Sequence, residues 1–157
     1  MMKKAIGSHR QRGVAAVEFG ILLIPLVLLT FGITEYGRAM YQYNALTKST
    51  RNAARYLSEY AAGTEIANAT DLAIYGCIRG VSCTGTPTPL VPGLSASNVQ
   101  IADMKSSPTT QASQDTGSGL VNLVTVTITG YQFQSLVPTL IPDITFSDIS
   151  VTMRQVK

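Results

Sequence analysis

The chain is short of charge, of histidine and of tryptophan, and each shortage removes a class of function. Only 13% of its 157 residues are Asp, Glu, Lys or Arg, against roughly 25% in an ordinary soluble domain. Tryptophan is absent, and His9 is the single histidine. With one histidine and two cysteines, a four-ligand zinc site cannot be assembled. No G-x-S-x-G, P-loop or H-E-x-x-H motif occurs. Asp103, Asp115, Asp143 and Asp148 are scattered through turn-like contexts without EF-hand spacing. No catalytic residue, metal site or cofactor is expected, and the chain is not read as an enzyme.

The formal net charge of +3 does not indicate a nucleic-acid partner. Of the 12 basic residues, Lys3, Lys4, Arg10 and Arg12 precede the long apolar run, which leaves 8 against 9 acidic residues in the rest of the chain. No basic stripe with interleaved aromatics is left to follow a phosphate backbone.

What the chain does have is concentrated near its N-terminus. Residues 14–33, VAAVEFGILLIPLVLLTFGI, are twenty residues with Glu18 as their one charge. As a helix they span about 30 Å, the thickness of a bilayer core. Pro25 should kink or loosen one turn, which membrane helices tolerate. The denser basic cluster on the N-terminal side places the N-terminus in the cytoplasm and the rest across the membrane. A cleaved secretory signal, with Ile21–Phe31 as its core and Gly37-Arg38-Ala39 as its site, fits worse: the basic region would be too long, and Arg38 is wrong for the site. Glu18 is the anomaly, because a carboxylate in hydrocarbon costs about 2.5–3.5 kcal/mol on insertion scales. Either it sits at the hydrated interface, or something gained by its presence offsets the cost.

The helix is expected to continue over residues 34–62 and to stop at Gly63. Tyr36, Met40, Tyr43, Thr47, Thr50, Ala54, Leu57 and Ala61 recur at spacings of three and four and are read as the core-facing stripe. Arg38, Gln42, Arg51, Arg55 and Glu59 fall elsewhere on the wheel. Thr64 is a candidate cap for a shorter helix ending at Gly76. Asn68-Ala69-Thr70 is a formal glycosylation sequon in a poor, helical context. Cys77 and Cys83 have neither redox nor metal spacing. Outside the cytoplasmic membrane they are expected to form a disulfide that stabilises by about 2 kcal/mol on the entropy model.

Residues 84–97 are rich in Pro, Gly, Ser and Thr and read as an irregular linker. Strands are expected at 98–104, in LVNLVTVTITGYQFQSL, and in ITFSDISVTMRQV with a break near Ser147-Asp148. The polar stretch SSPTTQASQDTGSG is read as a loop. Strands without intervening helices give an antiparallel meander. The fold class is α+β: a long N-terminal helix, a short second helix, and a three-stranded antiparallel head over residues 63–157.

Basic residues, then Gly13, then VAAVEF with Glu18 at the fifth position after the glycine, resemble the cleavage signature of type IV prepilins. Glu18-Phe19 is similar to the Glu-Tyr/Phe pair of the tight-adherence (Tad/Flp) branch. "FGITEYGRAMYQYNALTKSTRNAARYLSE", from Phe31 to Glu59, resembles the TadE-like pseudopilins, with Asn52-Ala53-Ala54-Arg55-Tyr56 where that family shows a GARY-like end. The resemblance implies a pilin-like fold and residues 1–13 as a leader that a prepilin peptidase removes between Gly13 and Val14. It also implies pairing of the Glu18 carboxylate with the Val14 amine of an incoming subunit. The implied partners are the peptidase, other pilin or pseudopilin subunits, the inner-membrane Tad assembly platform and the lipid bilayer. The implied role is in adhesion and biofilm formation, at the inner membrane or in a pilus. The rival reading is a single-pass, membrane-anchored extracytoplasmic binding module with an uncleaved tether; a secreted enzyme is a distant third. The first residue of the mature chain separates them: Val14, Met1 or Met40 respectively.

Overall fold

The computed structural model describes residues 11–117, 119–138 and 141–156. Most of the leader, including Lys3, Lys4, His9 and Arg10, lies outside these residues. The chain divides into two compact units at Arg38 and Ala39.

The first unit is helix. α1 runs from Gln11 to Ser58 and continues through Pro25 without a break. The hydroxyls of Thr30 and Thr34 donate to the carbonyls of Val27 and Thr30, both at 2.8 Å. These two hydroxyls are thus satisfied within the helix.

The second unit is α+β. Its elements are the C-terminal part of α1, α2 (Ile66–Tyr75), β1 (Val99–Ala102), α3 (Pro108–Gln111), β2 (Gln114–Asp115), β3 (Leu120–Ile128), β4 (Gln132–Phe133), β5 (Ile144–Thr145) and β6 (Ile149–Gln155). β3 is central. It pairs antiparallel with β1 from Val99↔Ile128 to Ala102↔Thr125, and with β6 from Asn122↔Gln155 to Ile128↔Ile149. The expected three strands therefore pair as a meander would, but they are not the whole head. The stretch 106–119, read as a loop, contains the turn α3 and the short β2, which pairs with the start of β3 and makes the sheet four-stranded. The break at Ser147-Asp148 separates β5 from β6, and β5 pairs with β4 in a second, two-stranded sheet.

Alternation in β3 explains its placement. Val124, Val126 and Ile128 are buried. Thr125 and Thr127 face away and meet the hydroxyls of Thr152 and Ser150 at 2.8 and 3.0 Å. The inward face packs on helices through small residues. Ala53, Ala54 and Leu57 of α1, Ala69 and Ala73 of α2, and Val124 and Val126 form one cluster. A second cluster joins Leu46, Ile74, Val91, Leu94, Ile128, Tyr131 and Ile149.

The expected core-facing stripe of α1 holds at Thr50, Ala54 and Leu57 but not at its aromatic end. Gln42, Leu46, Ser49, Thr50, Ala53, Ala54 and Leu57 are buried, whereas Tyr36, Met40 and Tyr43 are exposed. The amide of Gln42 explains the shift. The Tyr131 hydroxyl lies 2.8 Å from Gln42 Oε1 and 2.9 Å from the Pro92 carbonyl, and its proton is shared between them. A buried amide with a partner is cheap, and without one it is not. Tyr131→Phe should therefore cost about 1–2 kcal/mol in denaturant unfolding of the detergent-solubilised chain; an unchanged midpoint would show that the hydroxyl contributes nothing.

α1 ends at Ser58, not at 62. The amides of Glu59 and Tyr60 turn back to the carbonyls of Tyr56 and Leu57, tightening the last turn. The end of the sheet takes up further carbonyls: Val156 N–H donates to Ser58 at 2.9 Å, and Gln155 Nε2 to Tyr60 at 2.9 Å. Gly63 then takes a left-handed conformation, φ 76°. Thr64 does not cap α2, since its hydroxyl donates back to Ala61; Glu65 stands at the cap position with φ 59°. Its carboxylate accepts from the Tyr56 hydroxyl at 2.9 Å and from Asn68 Nδ2. The Tyr56 phenol is pushed up to about 12, by burial first and then by its hydrogen bonds with Tyr60 and Glu65; the Asn68 hydrogen bond opposes this, and the Glu65 charge adds least.

Candidate functional site: the N-terminal helix

The residues singled out in the sequence fall into two groups. Gly13, Val14, Glu18 and Phe19 all lie on α1, and all are exposed. Val14 and Glu18 are four residues apart, on one face of the helix and about 6 Å apart along its axis. Every residue from 13 to 31 is exposed, including Val17, Ile21, Leu22, Ile24, Leu26, Leu29 and Phe31. An apolar surface of this extent exceeds the few hundred Å² that soluble monomers leave in water, and it marks a site that lipid or protein covers. Among the described residues, the helix is long and apolar enough to cross a membrane. Within that surface Glu18 makes no hydrogen bond or ion pair among the described residues.

In the sequence Glu35 and Arg38 are charges that follow the apolar stretch. The structure pairs them: Arg38 Nη1 donates to Glu35 Oε1 at 2.9 Å and to Oε2 at 2.8 Å. Their i, i+3 spacing was a readable signal.

Over residues 13–55 the chain matches the family model described as TadE-like protein. This segment is similar to TadE-like proteins. No curated protein and no solved structure matches the chain. The TadE-like segment begins at Gly13, takes in the whole apolar stretch, and ends at Arg55. Its parts now have physical roles. The Glu and Arg of FGITEYGR close an ion pair, and Ala53 and Ala54 of NAARY are fully buried against α2 and β3. Neighbouring Tyr56 reaches Glu65.

The second group belongs to the other unit. Cys77 and Cys83 are joined in a disulfide, with Cα atoms 5.2 Å apart. The loop they close is tied to α2 by Asp71, whose Oδ1 accepts from Arg79 Nε at 2.8 Å and whose Oδ2 accepts from Arg79 N–H at 3.2 Å. The Arg79 guanidinium also lies 5.4 Å from the Tyr75 ring centroid. Nothing in the sequence marked Asp71 and Arg79 as partners, because their pairing depends on the turn between them. Among the described residues no cluster of His, Cys, Asp and Glu is suited to a metal ion.

Proposed function

We propose that this chain is a pseudopilin or minor pilin of a Tad/Flp-type pilus or secretion machinery. Residues 1–13 are the leader that a prepilin peptidase removes, and residues 14–33 cross the inner membrane with the N-terminus cytoplasmic. The rest of α1 and the head lie outside the cytoplasm. The subunit joins other pilin-like subunits and the Tad assembly platform through its apolar helix, in support of adhesion and biofilm formation, and performs no catalysis. One observation carries this reading: a match to the TadE-like family model coincides with an exposed apolar helical stretch, residues 14–33, whose one charge is Glu18, four residues from Val14 and without a partner among the described residues.

N-terminal sequencing of the mature chain from its native host tests the proposal, with Val14 expected first. Gly13→Arg should abolish processing, leaving the precursor as the accumulated species. The helix provides the control, since a side chain at Gly13 meets nothing within 4 Å and α1 remains intact. Normal cleavage of that variant would overturn the assignment of the cut to Gly13, and a mature chain that retains Met1 would favour the uncleaved tether instead.

A further inference from the structure

The exposed side of α1 in the second unit carries Lys48, Arg51 and Arg55. At about 100° per residue these three lie within about 60° of one another, and opposite the buried Leu46, Thr50, Ala53 and Leu57. No carboxylate of the described residues forms an ion pair with any of them. Tyr41, Asn44 and Asn52 flank the stripe and, with Lys48, line one wall of a groove of about 720 Å³; Gly76 and Leu90 line the other. Tyr41 is 72% exposed, so this wall is not occupied by the chain's own core.

The same unit holds unmatched acid on a different face. Asp143 and Asp148 flank β5 and are exposed. Asp143 Oδ1 accepts from Ser135 N–H at 2.9 Å, and Asp148 has no partner among the described residues. Between them stands Ile144, 45% exposed.

We propose that the Lys48–Arg51–Arg55 stripe and its groove receive the Asp143–Ile144–Asp148 corner of a second copy of this chain. The inference rests on the reading above, in which copies enter one membrane by the same helix and so share one orientation. Like-oriented copies meet through two different faces. Acid against base fulfils that requirement, whereas stripe against stripe would set cations on cations. The geometry also sets a stagger. Ile149 packs with Leu46, and Phe146 meets the Tyr43 ring at 5.7 Å, so the acidic corner lies level with residues 43–46. Arg51 and Arg55 are five and nine residues beyond Leu46. A neighbour displaced along the helix by about 8–14 Å brings its acids level with them.

The test uses the full-length chain, co-expressed in two tagged forms in the membrane of its native host. Asn52→Cys in one form and Ser147→Cys in the other report the contact by cross-linking, with each cysteine alone as control. A cross-linked heterodimer is expected only when both are present. Arg51→Glu with Arg55→Glu should lower its yield by about tenfold, and Asp148→Lys in the partner should restore it. Because these side chains face away from the core, intact folding of the reversed variant is checked by protease resistance. A yield unmoved by charge reversal, or cross-linking of the Ser147→Cys form to itself or to a different protein, overturns the proposal. The N-terminal residue is determined in the same samples. Val14 with an insensitive cross-link sinks this contact alone, and Met1 sinks the pilin reading whatever the cross-link shows.

Discussion

Glu18→Ala should leave the chain in the membrane and reduce its incorporation into any assembly by about a hundredfold or more. The two halves of this expectation rest on opposite effects of one carboxylate. For insertion, the charge is a cost of up to about 3 kcal/mol, so its removal makes the helix easier to insert. For assembly, the charge is worth having only when a cation neutralises it in the bilayer. Breaking a buried ion pair by deleting one partner costs about 3–5 kcal/mol, which is a factor of a hundred or more in an association constant. Glu18 has no partner among the described residues of its own chain, so that cation must come from elsewhere. In the proposed function, the amine that cleavage would expose on Val14 of another subunit is that cation. Glu18→Gln keeps the shape and loses the charge, and it should behave like alanine; Glu18→Asp should be intermediate. Carbonate extraction reads insertion, and the sheared or sedimented fraction reads assembly. Wild-type assembly of the alanine variant would mean that the carboxylate sits hydrated at the interface.

The sequence exposed the membrane-type helix more readily than the head that follows it. Residues 14–33 announce themselves by composition, which needs no knowledge of partners. β3 was equally plain, because Val124, Val126 and Ile128 alternate with threonines at the period of a strand. The expected stripe of α1 holds at Thr50, Ala54 and Leu57 but fails at Tyr36, Met40 and Tyr43, because aromatic side chains suggest a core, whereas the surface that α1 packs against is built from alanines and valines. Ala53 and Ala54 fit there and Tyr43 does not; its ring instead meets Phe146 edge-on at 5.7 Å. Gln42 looked like a solvent residue until Tyr131, 89 positions away, supplied a hydroxyl. The end of α1 was misjudged for the same reason, since its last carbonyls are met by Gln155 and Val156. For the site, Gly13, Val14, Glu18 and Phe19 could be located by motif and the Glu35–Arg38 pair was readable from its i, i+3 spacing, but the groove beside Lys48 required coordinates.

Asp103→Ala should destabilise the head by about 3 kcal/mol. Asp103 follows β1 and is buried. Its Oδ1 accepts from Lys105 N–H at 3.0 Å, Ser106 N–H at 2.8 Å and the Ser106 hydroxyl at 3.0 Å; its Oδ2 accepts from Gly63 N–H at 2.6 Å. One side chain thus closes the 103–107 turn and pins the segment that follows α1. Alanine would leave several donors unmatched at about 1–3 kcal/mol for each one that stays buried, part of which water recovers at the surface. Asp103→Asn retains one oxygen but turns an amide toward Gly63 N–H, so about half the loss is expected. Burial alone would raise the Asp103 carboxyl, but the hydrogen bonds from Ser106, Gly63 and Lys105 outweigh it and hold it below the usual carboxylate range. The folded state therefore binds this proton less readily than the unfolded state. The stabilisation is present in full above the unfolded value of about 4 and is lost as pH falls through the lower, folded one. Thermal unfolding of the detergent-solubilised chain should show a difference between wild type and Asp103→Ala that is constant near neutrality and narrows below about pH 4. A difference that does not narrow on acidification would mean that volume, not charge, makes Asp103 matter.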